Sequence, residues 1–180
     1  MNNLPNILIV DDREENLFTL EQTLKGNEAT FIRALSGNDA LMAALNYDFA
    51  VAIIDIQMPE MDGYELAECL RGDRRTQSLP ILFVSAVHSD EYHIFKGYEA
   101  GAVDFLRKPY DRNILESKVR IFLDLYQQRV ELEQEVMARK EAEKSLQALN
   151  ENLENLVAER TDALQAKTEE AQMMSTQLWQ

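Results

Sequence analysis

The sequence predicts an α/β fold: a five-stranded, doubly wound parallel sheet whose fifth helix runs on into a long parallel coiled coil. Three observations carry this reading. Short apolar runs alternate with helical patterns from residue 6 to about residue 124. The runs are continuous rather than alternating, as strands buried on both faces require. All six Gly and all four Pro lie at or before Pro109, so nothing breaks a helix from Tyr110 to Gln180.

The elements follow in order. "NILIVDD" (6–12) is an apolar run that ends on two aspartates, and Leu17, Leu20 and Leu24 then mark a helix closed by Gly26. "ATFIRAL" is the second strand. "SGNDALMAALN" is the second helix, with Ser36 as N-cap and Asp39 three residues on, an acidic form of the capping box. "FAVAIID" is the third strand, and Tyr64 to Leu70 the third helix, with Asp62 as its cap and Pro59 and Gly63 shaping the loop before it. "LPILFVSA" and "EYHIFKGYEAG" are the fourth strand and helix. "AVDFLRKP" is the fifth strand, and Asp111 caps the helix that opens the extension.

Composition narrows the function. The chain carries 32 Asp and Glu against 18 Lys and Arg, a formal net charge of −14. That balance disfavours nucleic acid and anionic membrane surfaces, both of which select basic protein faces. No signal pattern opens the chain, and no apolar run approaches the roughly 20 residues of a membrane span. Cys69 is the single cysteine, so internal disulfides and Cys-rich metal sites are excluded; its neighbours Leu66 and Leu70 give it a packing role. A cytoplasmic protein is expected. His88 and His93 fall on a polar helix start and read as surface residues.

In open parallel sheets, ligands bind beyond the carboxyl ends of the strands. Those ends read Asp11 and Asp12, Asp55, Ser85, and Lys108 before Pro109. Taken singly, each has a bland explanation: an Asp after a strand is most often a turn or cap residue, Lys108 a solvated lysine, Ser85 a loop hydroxyl, and Phe105 core. Together they form a set. Three converging carboxylates repel one another and need a counter-charge. Oxygen donors without His or Cys favour a hard divalent cation, and Mg²⁺ binds through few carboxylates and several waters. A cation would keep Asp55 ionised and able to attack phosphorus, while Lys108 and Ser85 would stabilise the phosphoryl oxygens.

The Asp pair after the first strand, "DIQMPEMDG" around Asp55, Ser85, and "DFLRKP" around Lys108 resemble the receiver domain of two-component response regulators. The resemblance covers about residues 5 to 124 and implies a flavodoxin-like sheet. It implies that Asp55 is the phosphoacceptor, with a histidine kinase or phosphotransfer protein as donor. It also implies Mg²⁺ held by Asp12, Asp55 and the Gln57 backbone carbonyl, with Asp11 assisting. Ser85 and Phe105 occupy the switch positions of that family. Gln57 and Val87 stand where phosphoryl lifetime is set, and Val87 cannot position an attacking water, so slow phosphate loss is expected. Phe105 lacks a phenolic hydroxyl, so any switching works through burial of the ring. An aspartyl-nucleophile phosphatase of the haloacid dehalogenase type wants a second Asp two residues after the nucleophile, and Gln57 stands there.

The extension carries two apolar stripes at its root: Leu115, Val119, Phe122 and Tyr126, and Ile114, Ile121 and Leu125. One stripe can pack on the sheet and leave the other for a partner. Farther on, Leu132, Val136, Leu146, Leu153, Val157, Leu164, Ala171 and Leu178 keep a 3-4 spacing, with Arg139, Glu143, Asn150, Arg160 and Lys167 on the same seam. This is a heptad repeat with polar interruptions, and Leu149 with Leu156 makes a competing phase. As one helix it would run on the order of 100 Å, and a parallel homodimer through residues 125–180 is expected. Residues 1–124 are read as the receiver domain and 125–180 as a coiled-coil signalling helix. "LENLVAERTDAL", with Glu159, Arg160 and Thr161, resembles the signalling-helix linkers that precede histidine kinase or diguanylate cyclase domains. It implies an output domain beyond this chain, a kinase ahead of a cyclase. The competing function is a structural coiled-coil adaptor whose receiver does not respond to phosphorylation.

Overall fold

The computed structural model describes residues 4–86 and 104–177, with side chains through residue 173. Two compact units divide it, Met1–Arg129 and Val130–Gln180. The expected fourth helix, with Val87, His88 and His93, lies outside the described residues.

Five strands form one parallel sheet: β1 (Asn6–Val10), β2 (Thr30–Ala34), β3 (Val51–Asp55), β4 (Ile81–Ser85) and β5 (Asp104–Arg107), in the order β2-β1-β3-β4-β5. Helices α1 (Glu14–Leu24), α2 (Gly37–Asn46) and α3 (Gly63–Gly72) connect the first four. The C-terminal helix spans Arg112–Gln177.

Successive strand side chains point to opposite faces, and the two cores divide accordingly. Ile7, Ile9, Val51, Ile53, Leu82 and Val84 pack with Leu17, Leu20 and Leu24 of α1 and with Leu115, Val119, Phe122 and Leu123 of the C-terminal helix. Leu8, Val10, Ala52, Ile54, Ile81 and Phe83 pack with Ala40 and Ala44 of α2 and with Leu66, Ala67 and Leu70 of α3. The central strands are thus covered on both sides, which is why they read as unbroken apolar runs. Each fully buried Leu or Ile contributes roughly 1.5–3 kcal/mol.

Caps set where the helices begin. Ser36 Oγ accepts from the Asp39 amide at 3.1 Å. Asp62 accepts from the Glu65 amide at 2.8 Å while Glu65 accepts from the Asp62 amide at 3.1 Å, a complete capping box. The two stripes at the helix root separate as their spacing requires: Leu115 and Val119 are fully buried, whereas Ile114, Ile121 and Leu125 are exposed. One expectation is corrected. Cys69 is exposed, because Leu66, Ala67 and Leu70 take the inward face of α3 and turn position 69 outward, where it lines a groove with Met42 and Leu45 of α2.

Candidate functional site

Strand order reverses at β1, whose neighbours are β2 on one side and β3 on the other. In such sheets the ligand crevice opens at that switch point, beyond the β1 and β3 carboxyl ends. Asp11 follows β1 and Asp55 ends β3, and both are buried, at 1% and 7% exposure. The sequence gives Asp55 no cationic neighbour, and the fold supplies one from the end of β5. Lys108 Nζ donates to Asp55 Oδ1 at 2.7 Å and to Asp11 Oδ2 at 2.8 Å. One ammonium therefore bridges two carboxylates that would otherwise repel. Asp12 is next in the chain and exposed.

Backbone contacts hold these groups in place. The Gln57 amide donates to Asp55 Oδ2 at 3.0 Å, turning the carboxylate back over its own loop. The Lys108 amide donates to the Ser85 carbonyl at 2.7 Å, which ties the lysine to the end of β4. Ser85 is itself buried. Phe105, on β5, is half-buried, its ring 5.2 Å from that of Phe83, which in turn lies 5.2 Å from Tyr64. Among the described residues no buried side-chain nitrogen or oxygen lacks a hydrogen-bond partner.

Electrostatics follow from burial. Desolvation raises the Asp55 pKa; Lys108 opposes it by hydrogen bond and charge, Asp11 adds to it, and the net direction is upward. Desolvation alone would lower Lys108, but its bonds to Asp11 and Asp55 and their charges outweigh it and raise the lysine. The site holds a carboxylate whose charge is costly and a cation that stays charged. A pocket of about 340 Å³, lined by Asn16, Thr19, Thr23, Lys108, Tyr110 and Arg112, adjoins the lysine.

The donor set fits Mg²⁺. It is made of oxygen alone, which suits a hard cation, and Mg²⁺ needs only one or two carboxylates beside its retained waters. Among the described residues no cluster of three or more His, Cys, Asp or Glu side chains forms a dedicated cage. Exposed Asp12 and the raised pKa of Asp55 both leave room for a divalent charge to act.

The structure brings together Asp11, Asp55 and Lys108, sets Ser85 and Gln57 beside them through backbone bonds, and leaves Phe105 against Phe83. One contributor escaped the sequence. Asn16, on the first turn of α1, donates to both oxygens of Asp11, at 2.8 and 3.0 Å. Its only signal is a carboxamide five residues after the aspartate on a helix that starts there.

The family model of the response regulator receiver domain matches residues 7–120. Over 143 residues the chain is 34% identical to a Vibrio cholerae protein named "Probable cyclic di-GMP phosphodiesterase", covering 74% of this chain and 31% of that protein. Response regulator PleD of Caulobacter vibrioides is 35% identical over 114 residues, 63% of this chain and 25% of PleD. The chain thus spans between a quarter and a third of these relatives. The crystallised chemotaxis response regulator CheY4 of Vibrio cholerae superposes with a TM-score of 0.62 at 28% identity, covering 67% of this chain and 99% of that one. Among the described residues no helix is long and apolar enough to cross a membrane.

Proposed function

Since the chain belongs to the response regulator receiver domain family, we propose that it receives a phosphoryl group on Asp55 from a histidine kinase or phosphotransfer protein. The observation that carries the assignment is the Lys108 ammonium shared by two buried carboxylates at the sheet's switch point. An Asp55 oxygen attacks phosphorus as the bond from phosphorus to the donor's imidazole nitrogen breaks, and an acyl phosphate forms. The new phosphoryl oxygens bring more negative charge beside Asp11. Lys108 is placed to follow them, and Ser85 lies at the neighbouring strand end. Asp12, Asp55 and the Gln57 carbonyl would hold Mg²⁺, with Asp11 assisting; when bound, it supplies charge neutralisation at Asp55 and the phosphoryl oxygens. Loss of the Lys108 bond to Asp55 then frees β5, and Phe105 turns further against the Phe83 ring as the switch.

The second part of the proposal is transmission through a homodimer. Seam residues Leu132, Val136, Leu146, Leu153, Val157 and Leu164 are 43% to 66% exposed and belong to neither hydrophobic core among the described residues. A second copy in parallel covers them. The output proposed is an enzyme of cyclic dinucleotide metabolism rather than a kinase. Support comes from the Vibrio cholerae relative, whose match of 143 residues reaches past the 7–120 receiver segment.

The test is intact-protein mass after incubation with Mg²⁺ and phosphoramidate, beside Asp55→Asn. One phosphoryl group on the native chain and none on the variant is expected. An unmodified native chain that still binds Mg²⁺ returns the protein to a structural adaptor.

A further inference from the structure

Asp11 is the most enclosed charge of the site, and its hydrogen bonds are divided in a particular way. Oδ1 accepts from the Arg13 amide at 3.0 Å and from Asn16 Nδ2 at 2.8 Å. Oδ2 accepts from Asn16 Nδ2 at 3.0 Å and from Lys108 Nζ at 2.8 Å. A carboxylate offers about four lone-pair sites, and these bonds hold both of its oxygens. Asn16 is the one side chain among these donors that grips both oxygens. It stands on the first turn of α1, whose orientation is fixed by the buried neighbours Leu17 and Leu20.

We propose that Asn16 is a positioning residue acting through Asp11: it clamps that carboxylate as a fixed charge facing Lys108, and so sets where the lysine meets Asp55. Without the clamp, Asp11 keeps only the Arg13 amide and Lys108. It is then free to turn about its side-chain torsions, drawing the ammonium away from Asp55 or competing for an incoming cation. This rests on the proposed phosphoacceptor role of Asp55 for its consequence, though not for its geometry.

The experiment uses the full chain with Asn16→Ala, Asn16→Gln and Asp11→Asn, singly and with Asn16→Ala and Asp11→Asn combined. Three quantities are read: the Arg13 amide position by NMR, Mg²⁺ affinity by calorimetry, and the rate of Asp55 phosphorylation by phosphoramidate at saturating Mg²⁺. For Asn16→Ala we expect a shifted Arg13 amide, a changed Mg²⁺ Kd, and a rate lowered about tenfold, the scale of one lost hydrogen bond to a charged group. Asn16→Gln, which keeps the donor, recovers part of the rate. In the Asp11→Asn background Asn16→Ala has no further effect on rate or Kd.

A folded Asn16→Ala protein with the Arg13 amide, Kd and rate unchanged overturns the proposal, as does a full additional loss in the Asp11→Asn background. Should Asn16→Ala fail to fold, Asn16→Ser, whose donor is too short to span both oxygens, takes its place under the same criteria. If the native chain takes no phosphoryl group, the phosphoacceptor role fails while the amide and Mg²⁺ measurements still decide the clamp.

Discussion

At the scale of single residues, the site is a buried charge balance with a defined pH signature. Burial, then Asp11, raises the Asp55 pKa above its ordinary 3.8 against the pull of Lys108. The folded state therefore binds more protons than the unfolded chain between 3.8 and the raised value, and stability falls as pH rises through that window. Asp55→Asn removes this titration. In urea unfolding without Mg²⁺, the stability of Asp55→Asn relative to the native chain should climb from pH 3.8 upward and then level off. A difference that shrinks over the same range contradicts the electrostatic account. Lys108 works in the other direction. Lys108→Met leaves Asp11 and Asp55 buried without their shared ammonium, and should cost about 2–4 kcal/mol near neutral pH. Added Mg²⁺ should restore part of that loss by binding the folded state, which a denaturation midpoint with and without the ion measures.

At the scale of elements, the loop between β3 and α3 shows how a short segment aims Asp55. Met61 N–H donates to the Pro59 carbonyl at 2.8 Å across Glu60, whose φ of 65° is unusual for a side-chain-bearing residue. This tight turn brings Gly63 back onto the strand it left, and its amide donates to the Ile56 carbonyl at 3.0 Å. A Cβ at position 63 would lie 2.5 Å from the Asp55 carbonyl oxygen and 2.9 Å from Ile56 Cα. Both are backbone atoms, so the loop that follows Asp55 must itself shift. Gly63→Ala should destabilise the protein by about 1–3 kcal/mol and slow Asp55 phosphorylation, whereas Gly72→Ala, which meets nothing within 4 Å, should do neither. Paired unfolding curves and phosphorylation rates check this. The same loop shows what the sequence makes legible. Strands β1, β3 and β4 are apolar runs that end on or lead straight into a polar residue, and a parallel sheet brings such endings to one edge, so the fold and the gathering of Asp11, Asp55, Ser85 and Lys108 at that edge were readable together. Asp62 was readable as a cap because capping is local. Asn16 was not, because its partner lies across a turn and its role depends on side-chain direction. Cys69 was misread for a related reason: its neighbours are apolar, but the angle of α3 against the sheet decides which of them face inward.

At the scale of the whole molecule, the heptad pattern makes the proposed dimer specific enough to fail. Val136, Asn150 and Val157 take one seam position and Leu132, Leu146 and Leu153 the other, the combination that favours two parallel strands. Glu135 and Lys140 flank that seam, five residues apart and opposite in charge, as an interhelical pair requires. A second stripe overlaps the first. Ala142, Leu149 and Leu156 join Leu146 and Leu153 in a run that is wholly apolar, whereas the main seam holds Glu143 and Asn150 over the same two heptads. Leu149 and Leu156 are about half exposed, as are Leu146 and Leu153, so no packing among the described residues selects between the stripes. The dimer should therefore populate both, with the helix rotated between them. The exposed Cys69 is first replaced by Ser, and then Asn150→Cys reports the main seam and Leu149→Cys the second. Both should cross-link, at rates within about fivefold of each other, as for packings separated by about 1 kcal/mol. Adding Asn150→Leu to the Leu149→Cys chain strengthens the main seam and should suppress cross-linking at position 149. Cross-linking at position 150 alone would reduce the helix to a single rigid seam, unable to signal by rotation, and a chain that sediments as a monomer would remove the dimer altogether.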